Sequence, residues 1–167
     1  MKLCNELNIT MTKHCIFVKI CEQKLYIFEN GCFVRDFDVS TSRAKPSCVT
    51  DSLGTPTGLH FIDGKIGNGA DSDTVFISRK PAGKISEQKD LSLNMITTRI
   101  MRLRGLEEGK NVGGHLDTFN RYVYIHGTNQ HDKIGTPNSH GCVLLTPDDM
   151  IHLYDLIDDK SIVYISM

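Results

Sequence analysis

The apolar residues of this chain fall in short runs, and the length of these runs limits what the chain can fold into. The runs at residues 15–18, 25–28, 122–125 and 162–165 are each about four residues long. A membrane-spanning helix needs roughly 18 consecutive apolar residues, whereas a short run fits a strand. The sequence therefore predicts a mostly β protein without a transmembrane segment.

Turn-forming residues separate these runs. Asn30 and Gly31 lie between β-rich stretches at residues 25–28 and 32–39. Asn-Gly is typical of a type I′ hairpin turn, in which both central residues have positive φ. Other strands are predicted at residues 16–20, 59–62, 75–77, 121–125 and 162–165 and, from a mixed pattern, within 91–106. Residues 64–90, rich in Gly, Asp, Ser and Lys, predict either a solvated loop or a lid over the site.

One amphipathic helix is predicted near the C-terminus. Thr146 is a good capping residue, Pro147 suits the first helical position, and the acidic residues 148 and 149 complement the positive end of the helix dipole. Four apolar residues then follow at the spacing of one helix face: Met150, Leu153, Tyr154 and Ile157.

Length and charge narrow the class of protein. A chain of 167 residues suits one domain. Residues 1–12 show no period and are predicted to be an N-terminal tail, with the domain at residues 13–167. The net charge of -1 does not indicate a nucleic-acid-binding surface. The first residues lack the apolar core of a signal peptide, so the protein stays inside the cell, leaves by another route, or has its leader missing from this sequence.

The cysteines point to one candidate for chemistry. The six Cys include no Cys-x-x-Cys pair, which disfavours a zinc ribbon. Cys142 directly follows Ser139, His140 and Gly141, and it comes sixteen residues after His126, which ends a predicted strand. We interpret the other five cysteines as small buried apolar residues.

This constellation fits thiol acyl transfer, which needs a thiolate, a base and donors for an oxyanion. Cys142 is the candidate nucleophile and His126 the candidate base, because the intervening turn can bring the two side chains together. Backbone N–H groups near Gly141 and Cys142 are candidate oxyanion donors, and His140 can orient a substrate. An imidazolium beside the thiol predicts a lowered pKa for Cys142.

Two other interpretations of these residues remain open. His126, His131, His140 and Cys142 have the chemistry of zinc ligands, but they lack the compact spacing of known zinc motifs. Alternatively, Cys142 is a small buried residue and His140 a surface residue, although Ser-His-Gly before the cysteine and a histidine at a strand end argue against it.

The stretch Tyr124-Ile125-His126-Gly127-Thr128, followed by Ser139-His140-Gly141-Cys142, resembles the signature of the L,D-transpeptidase (YkuD-type) catalytic domain. The similarity also includes the early hairpin and the stretches at residues 54–58, 75–79, 98–101, 105–107 and 117–118. The resemblance implies a β-sandwich with mixed sheets.

The resemblance also implies a substrate, the stem peptide of peptidoglycan. Cys142 would attack the carbonyl at the L-centre of the third-position diamino acid, and D-alanine would leave. An amine of a second stem would resolve the thioester to give a 3→3 crosslink. The carbonyl of Gly127 would orient His126, while Ser139, His140 and Gly141 would shape the oxyanion site. No metal or organic cofactor is needed, and the expected location is the periplasm or cell envelope, with the cytoplasm as the alternative.

The residue two positions after the nucleophile departs from this family's pattern. Leu144 stands where similar members usually carry Arg, a suitable partner for a substrate carboxylate. We expect position 144 to lie beside the substrate groove, because it shares a strand face with position 142. The alternative is that the wall has repacked, with Leu144 as a packing residue that carries no information on substrate. Three other functions of the chain remain open. One is an L,D-carboxypeptidase or amide hydrolase, in which water resolves the thioester. The others are a non-catalytic peptidoglycan-binding module and a cytoplasmic thiol hydrolase that acts on an unrelated peptide.

Overall fold

Ten strands and two α-helices form the regular structure of residues 2–167, the part of the chain that this computed structural model describes. The strands are β1 (His14–Lys19), β2 (Lys24–Glu29), β3 (Cys32–Asp38), β4 (Gly58–Ile66), β5 (Thr74–Ile77), β6 (Lys80–Lys84), β7 (Thr97–Gly105), β8 (Tyr124–Gly127), β9 (Val143–Leu145) and β10 (Ile162–Ser166). The helices are α1 (Lys2–Glu6) and α2 (Pro147–Leu156).

All ten strands belong to one mixed sheet. Its main path runs β3-β2-β1-β10-β4-β7-β5-β6, and β8 branches from β7 to pair with β9. The pairs β1–β10 and β8–β9 are parallel, and the other pairs along this path are antiparallel. The predicted mostly β fold with mixed pairing and one main C-terminal helix is confirmed, although the strands of the predicted sandwich join into one continuous sheet.

The core lies on one side of this sheet. Ile16 and Val18 of β1 are buried, while Phe17 between them is only partly buried. These side chains join one cluster with Ile125 of β8, Val143 of β9 and Leu153 of α2. Burying each large aliphatic side chain contributes roughly 1.5–3 kcal/mol. The two halves of the sheet and the helix are therefore held by a shared core.

The two strongest local predictions are confirmed. Asn30 and Gly31 have φ of 50° and 83° between β2 and β3, as a type I′ turn requires. Thr146 caps α2 by accepting a hydrogen bond from the backbone N–H of Asp149 at 3.2 Å. The four apolar residues predicted for the core face of this helix are all buried.

Three segments differ from their prediction. Residues 1–12 do not read as a plain tail, because Lys2–Glu6 form α1 and Cys4 packs against Leu59 and Ile162; Met1 lies outside the described residues. Within residues 64–90 the strand predicted at 75–77 is present as β5, but β6, which pairs with it in a hairpin, was not predicted. Strand β8 begins at Tyr124 rather than at residue 121.

The late start of β8 has a local cause. The backbone N–H of Tyr122 donates to Phe119 O at 3.1 Å, which closes a turn. Tyr122 itself has φ of 56°, in the left-handed region that a tyrosine rarely adopts.

Among the helices of residues 2–167, none has the length and apolar character needed to span a membrane.

Candidate active site

Strands β8 and β9 bring the candidate residues to one face of the sheet. Their register pairs His126 with Leu144, and β7 places Ile100 opposite His126 on the other side. Because side chains alternate along a strand, Tyr124 and His126 share a face. Cys142 precedes Leu144 by two residues and lies on that face too. The opposite face of these strands belongs to the core.

The Cys142 thiol is half-buried, and its hydrogen bonds go to backbone groups. Sγ accepts from the backbone N–H of Tyr124 at 3.4 Å and donates to the carbonyl of Tyr122 at 3.9 Å. Burial raises the pKa of Cys142 to about 11, against the opposing effects of the Tyr124 N–H and the Arg121 guanidinium. The lowered pKa predicted for Cys142 is therefore wrong, because desolvation of the thiolate outweighs these donors.

His126 is a buried imidazole with one fixed tautomer. Its Nδ1 lies 2.8 Å from the carbonyl oxygen of Gly127, and a carbonyl only accepts, so Nδ1 carries the proton and Nε2 the lone pair. Burial lowers the pKa of His126 to about 4, so the ring is neutral near pH 7. Within residues 2–167, no hydrogen bond reaches Nε2, and none joins the imidazole to the Cys142 thiol. His126 thus presents a free basic nitrogen.

Gly127 holds His126 in place through its backbone. The bond from Nδ1 to its carbonyl is the one that the family resemblance implies. A Cβ at position 127 would lie 2.7 Å from Oγ1 and 2.8 Å from Cβ of Thr98 on β7. This close approach of β7 and β8 explains why glycine occupies the position.

Ser139 shapes the turn that leads into Cys142. Its hydroxyl donates to the carbonyl of Cys142 at 2.6 Å and accepts from the N–H of Gly141 at 3.1 Å. Gly141 has φ of 127°, which favours glycine. Since the Gly141 N–H already bonds to Ser139, the N–H of Cys142 is the remaining candidate of the two predicted oxyanion donors.

His140 is exposed at the edge of a cavity of about 230 Å³, which Arg121, Tyr122 and Leu53 also line. Its Nε2 lies 3.1 Å from Nη2 of Arg43. A guanidinium has no acceptor, so Arg43 donates and Nε2 of His140 accepts. His140 therefore lies at the edge of this cavity, in a position to contact a substrate.

Leu144 does not line the groove. It lies on the Cys142 face by alternation, as predicted, but only 1% of its surface is exposed. Its backbone pairs with Ser40 through bonds of 3.0 Å and 2.8 Å, so the segment after β3 lies against the outer edge of β9. The expectation that residue 144 borders the groove is wrong, because the Leu144 side chain is almost wholly buried, as the alternative of a packing residue predicts.

The proposed zinc ligands do not come together. His131 is exposed in a short 3₁₀ turn at His131–Lys133, while His126 is buried in β8. Across residues 2–167, no group of three or more His, Cys, Asp or Glu side chains is placed to hold a metal ion. The six cysteines are all free, and of the five outside the site only Cys4 is fully buried.

Sequence reasoning missed Arg121. Its guanidinium donates to Gly54 O at 2.7 Å and to Ser47 O at 3.0 Å, and it is close enough to Cys142 to lower the thiol pKa. Nothing local in the sequence distinguishes this arginine, because its partners come from a segment about 70 residues earlier.

A match to a known protein family covers most of the chain, including the candidate site residues. The family model of the L,D-transpeptidase catalytic domain (YkuD) matches residues 13–165. No curated protein matches the chain.

Solved structures of low sequence identity share the fold. An L,D-transpeptidase from Mycobacterium smegmatis is 16% identical with a TM-score of 0.56, covering 93% of this chain and 59% of that one. L,D-transpeptidase 3 from Mycobacterium tuberculosis, in complex with a faropenem-derived adduct, is 15% identical with a TM-score of 0.58, covering 93% and 60%. An L,D-transpeptidase from Stackebrandtia nassauensis is 19% identical with a TM-score of 0.56, covering 95% and 57%. This chain thus spans less than two thirds of each solved chain.

Proposed function

The chain belongs to the L,D-transpeptidase catalytic domain (YkuD) family, and on this basis we propose that it transfers acyl groups of peptidoglycan stem peptides through a thioester on Cys142. One observation carries the proposal. Cys142, directly before β9, packs against the cluster of Ile100 and Tyr124, Ile100 pairs with His126 in register, and the bond from Nδ1 to Gly127 leaves Nε2 of His126 free to take a proton.

The first half-reaction forms the thioester. Nε2 of His126 accepts the thiol proton while Sγ of Cys142 bonds to the carbonyl carbon at the L-centre of the third-position diamino acid. The resulting oxyanion takes a hydrogen bond from the N–H of Cys142. When the tetrahedral intermediate collapses, the C–N bond breaks and the imidazolium of His126 returns the proton to the D-alanine amine.

The two pKa values constrain the timing of the first proton transfer. A thiol with a pKa of about 11 and an imidazole with a pKa of about 4 do not form an ion pair before substrate binds. We therefore propose that the proton moves as the S–C bond forms, or after substrate binding has changed the environment of Cys142. Neutral Cys142 and neutral His126 are the resting forms in this proposal.

The second half-reaction depends on the acceptor. A side-chain amine of a second stem attacks the thioester carbonyl, His126 takes the amine proton, and the thiol leaves with a 3→3 crosslink formed. Attack by water instead gives a tripeptide, the outcome of an L,D-carboxypeptidase. Because peptidoglycan is the proposed substrate, we propose that the protein acts at the cell envelope.

Incubation with purified disaccharide-tetrapeptide, followed by mass spectrometry of the products, tests the proposal. We expect a crosslinked dimer with loss of one D-alanine from wild type and no product from Cys142→Ala. Tripeptide alone assigns the chain to hydrolysis. Unchanged tetrapeptide with folded wild-type protein contradicts the proposed activity and favours a binding module.

A further inference from the structure

Two arginines flank the aromatic ring of Tyr122 next to the nucleophile. The guanidinium carbons of Arg79 and Arg102 are each 5.1 Å from the centre of this ring, within the range of a cation–π contact. Tyr122 is 53% exposed. Its backbone carbonyl accepts a hydrogen bond from the Cys142 thiol at 3.9 Å. The two guanidinium groups therefore contact a residue that is itself bonded to the reacting thiol, and Arg79 also contacts Tyr124, whose N–H donates to Sγ.

Separate elements bring these arginines together. Arg102 lies on β7, in register with Tyr124. Arg79 lies in the turn between β5 and β6, and its Nη1 donates to the hydroxyl of Tyr124 at 3.1 Å. Ser78 and Arg79 have φ of 49° and 68°, and Tyr122 also has positive φ. Positive φ at both Ser78 and Arg79 is what the two-residue loop between β5 and β6 requires of a type I′ turn, so the hairpin fixes the position of Arg79.

Neither guanidinium has a carboxylate partner. In the described part of the chain, no Asp or Glu oxygen lies within 4.0 Å of Arg79 or Arg102. The buried Nε of Arg102 has no hydrogen-bond partner. Burial lowers the pKa of Arg102, and the charges of Arg79 and Arg104 lower it further. By contrast, Arg104 on the same strand pairs with Asp63.

Arg102 donates to Phe119 O at 2.9 Å and lies over the Phe119 ring, but neither guanidinium has an anionic partner. The two cations repel each other, and an anion bound close to both offsets that repulsion. A carboxylate suits this place, because guanidinium groups bind carboxylates through paired charge-assisted hydrogen bonds. Tyr122 adds a flat, exposed surface on which the chain of a bound peptide can pack.

We propose that Arg79 and Arg102, which both contact the ring of Tyr122, form a subsite for a free carboxylate of the donor peptide that Cys142 attacks. This inference rests on the proposed function. The carboxylate belongs to the terminal D-alanine, to the third-position diamino acid, or to the glutamate that precedes it. In each case the arginines hold the peptide and take no part in proton transfer.

Steady-state kinetics with a series of tetrapeptides tests the subsite, with each free carboxylate amidated in turn. Arg79→Gln is the principal variant, because its side chain stands in a surface turn. We expect it to raise KM for the unmodified donor about tenfold or more, as for the loss of a charge-assisted hydrogen bond, and to change kcat less than about threefold. Arg79→Lys should restore part of the loss, and Arg102→Gln should act in the same direction where it folds.

The amidated donor that is insensitive to Arg79→Gln identifies the bound carboxylate. Arg35→Gln is the matched control, since Arg35 also lies over a ring, that of Phe37 at 4.4 Å, but on β3 at the far edge of the sheet. It should leave KM unchanged. Equal effects of Arg79→Gln on every donor, or no effect on any, overturn the subsite.

Calorimetric binding of the same peptides to Cys142→Ala separates this inference from the proposed function. If wild type turns over no donor but Cys142→Ala binds the free acid about tenfold more tightly than the identified amide, the subsite stands and the proposed activity fails. If turnover occurs without any carboxylate preference, the subsite alone fails. Absence of binding by every peptide overturns the subsite.

Discussion

His60 on β4 and His126 on β8 are both buried imidazoles, with exposed fractions of 0% and 3%. Each has Nδ1 bonded to a nearby carbonyl, Gly58 O at 3.0 Å or Gly127 O at 2.8 Å. Burial lowers the pKa of each to about 4. The two rings therefore share a tautomer, a protonation state and a degree of burial.

The difference lies at the other ring nitrogen. Nε2 of His60 accepts from the hydroxyl of Thr118 at 3.2 Å and lies 3.4 Å from Nδ2 of Asn111. Nε2 of His126 has no such partner within residues 2–167, and it shares a sheet face with Cys142. Burial and a fixed tautomer thus describe a structural histidine as well as a base, and the free second nitrogen distinguishes the base.

Removing the base is expected to have the largest effect. His126→Gln should lower kcat/KM by roughly 10²–10⁴, the range for loss of a general base, with little change in unfolding free energy. His60→Gln is the control and should stay within about fivefold of wild type. Similar losses in both variants, measured by tripeptide or dimer formation, would remove the distinction between the two rings.

The second prediction concerns the residue opposite the base. Leu144 is 1% exposed and pairs with His126 in register, so Leu144→Arg would bury a charge without a partner. We expect a loss of roughly 3 kcal/mol or more in unfolding free energy, measured in urea. Leu144→Met, which keeps the volume, should cost less than about 1.5 kcal/mol.

A different result would restore the sequence-based expectation for this position. If Leu144→Arg folds with wild-type stability and lowers KM for the unmodified tetrapeptide but not for amidated analogues, residue 144 borders the groove and does not shield His126.

The third prediction is that removing His60 lowers stability, whereas removing His126 lowers activity. His60→Ala should lower the unfolding free energy by roughly 3 kcal/mol, since it leaves a cavity and an unpaired hydroxyl on Thr118. Activity of the folded variant should stay near wild type. A stable His60→Ala protein that has lost its activity would assign His60 to the site.

Lowering the pH should test the lowered pKa that His60 and His126 share. Their folded pKa of about 4 lies below the ordinary value of roughly 6.5, so the unfolded chain takes up protons first as the pH falls. The stability associated with each neutral ring is complete above pH ~6.5 and is lost as the pH falls toward ~4. Each ring should contribute about 2 kcal/mol of this loss between pH 7 and pH 5.

Urea titrations of wild type, His60→Gln and His126→Gln at these two pH values measure the contributions. Each variant should depend less on pH than wild type, by a similar amount. Variants with the wild-type pH dependence would show that the rings titrate normally when folded.

Features set by neighbouring residues were predictable from the sequence. The Asn30–Gly31 turn and the Thr146 cap depend on the conformational preferences and hydrogen bonds of adjacent residues, and both are confirmed. The pairing of His126 and Cys142 on one face was predictable in outline from the family signature, while their roles remain predictions.

Features set by distant segments were not predictable. The raised pKa of Cys142 depends on burial by residues of other strands, and the burial of Leu144 depends on its pairing with Ser40, about 100 residues earlier. The pairing of Arg79 with Arg102 depends on the register of β7 and β8 and on the position of a hairpin turn. No local pattern encodes these contacts.

Acylation of the thiol tests the central claim most directly. Folded protein is incubated with a carbapenem, which acylates cysteines of this family, and the adduct is located by peptide mass spectrometry. We expect one adduct, on Cys142, and none in Cys142→Ala. It should form at the wild-type rate in His60→Gln and at least roughly 10²-fold more slowly in His126→Gln. An adduct on another cysteine, or equal rates in the two histidine variants, would contradict it.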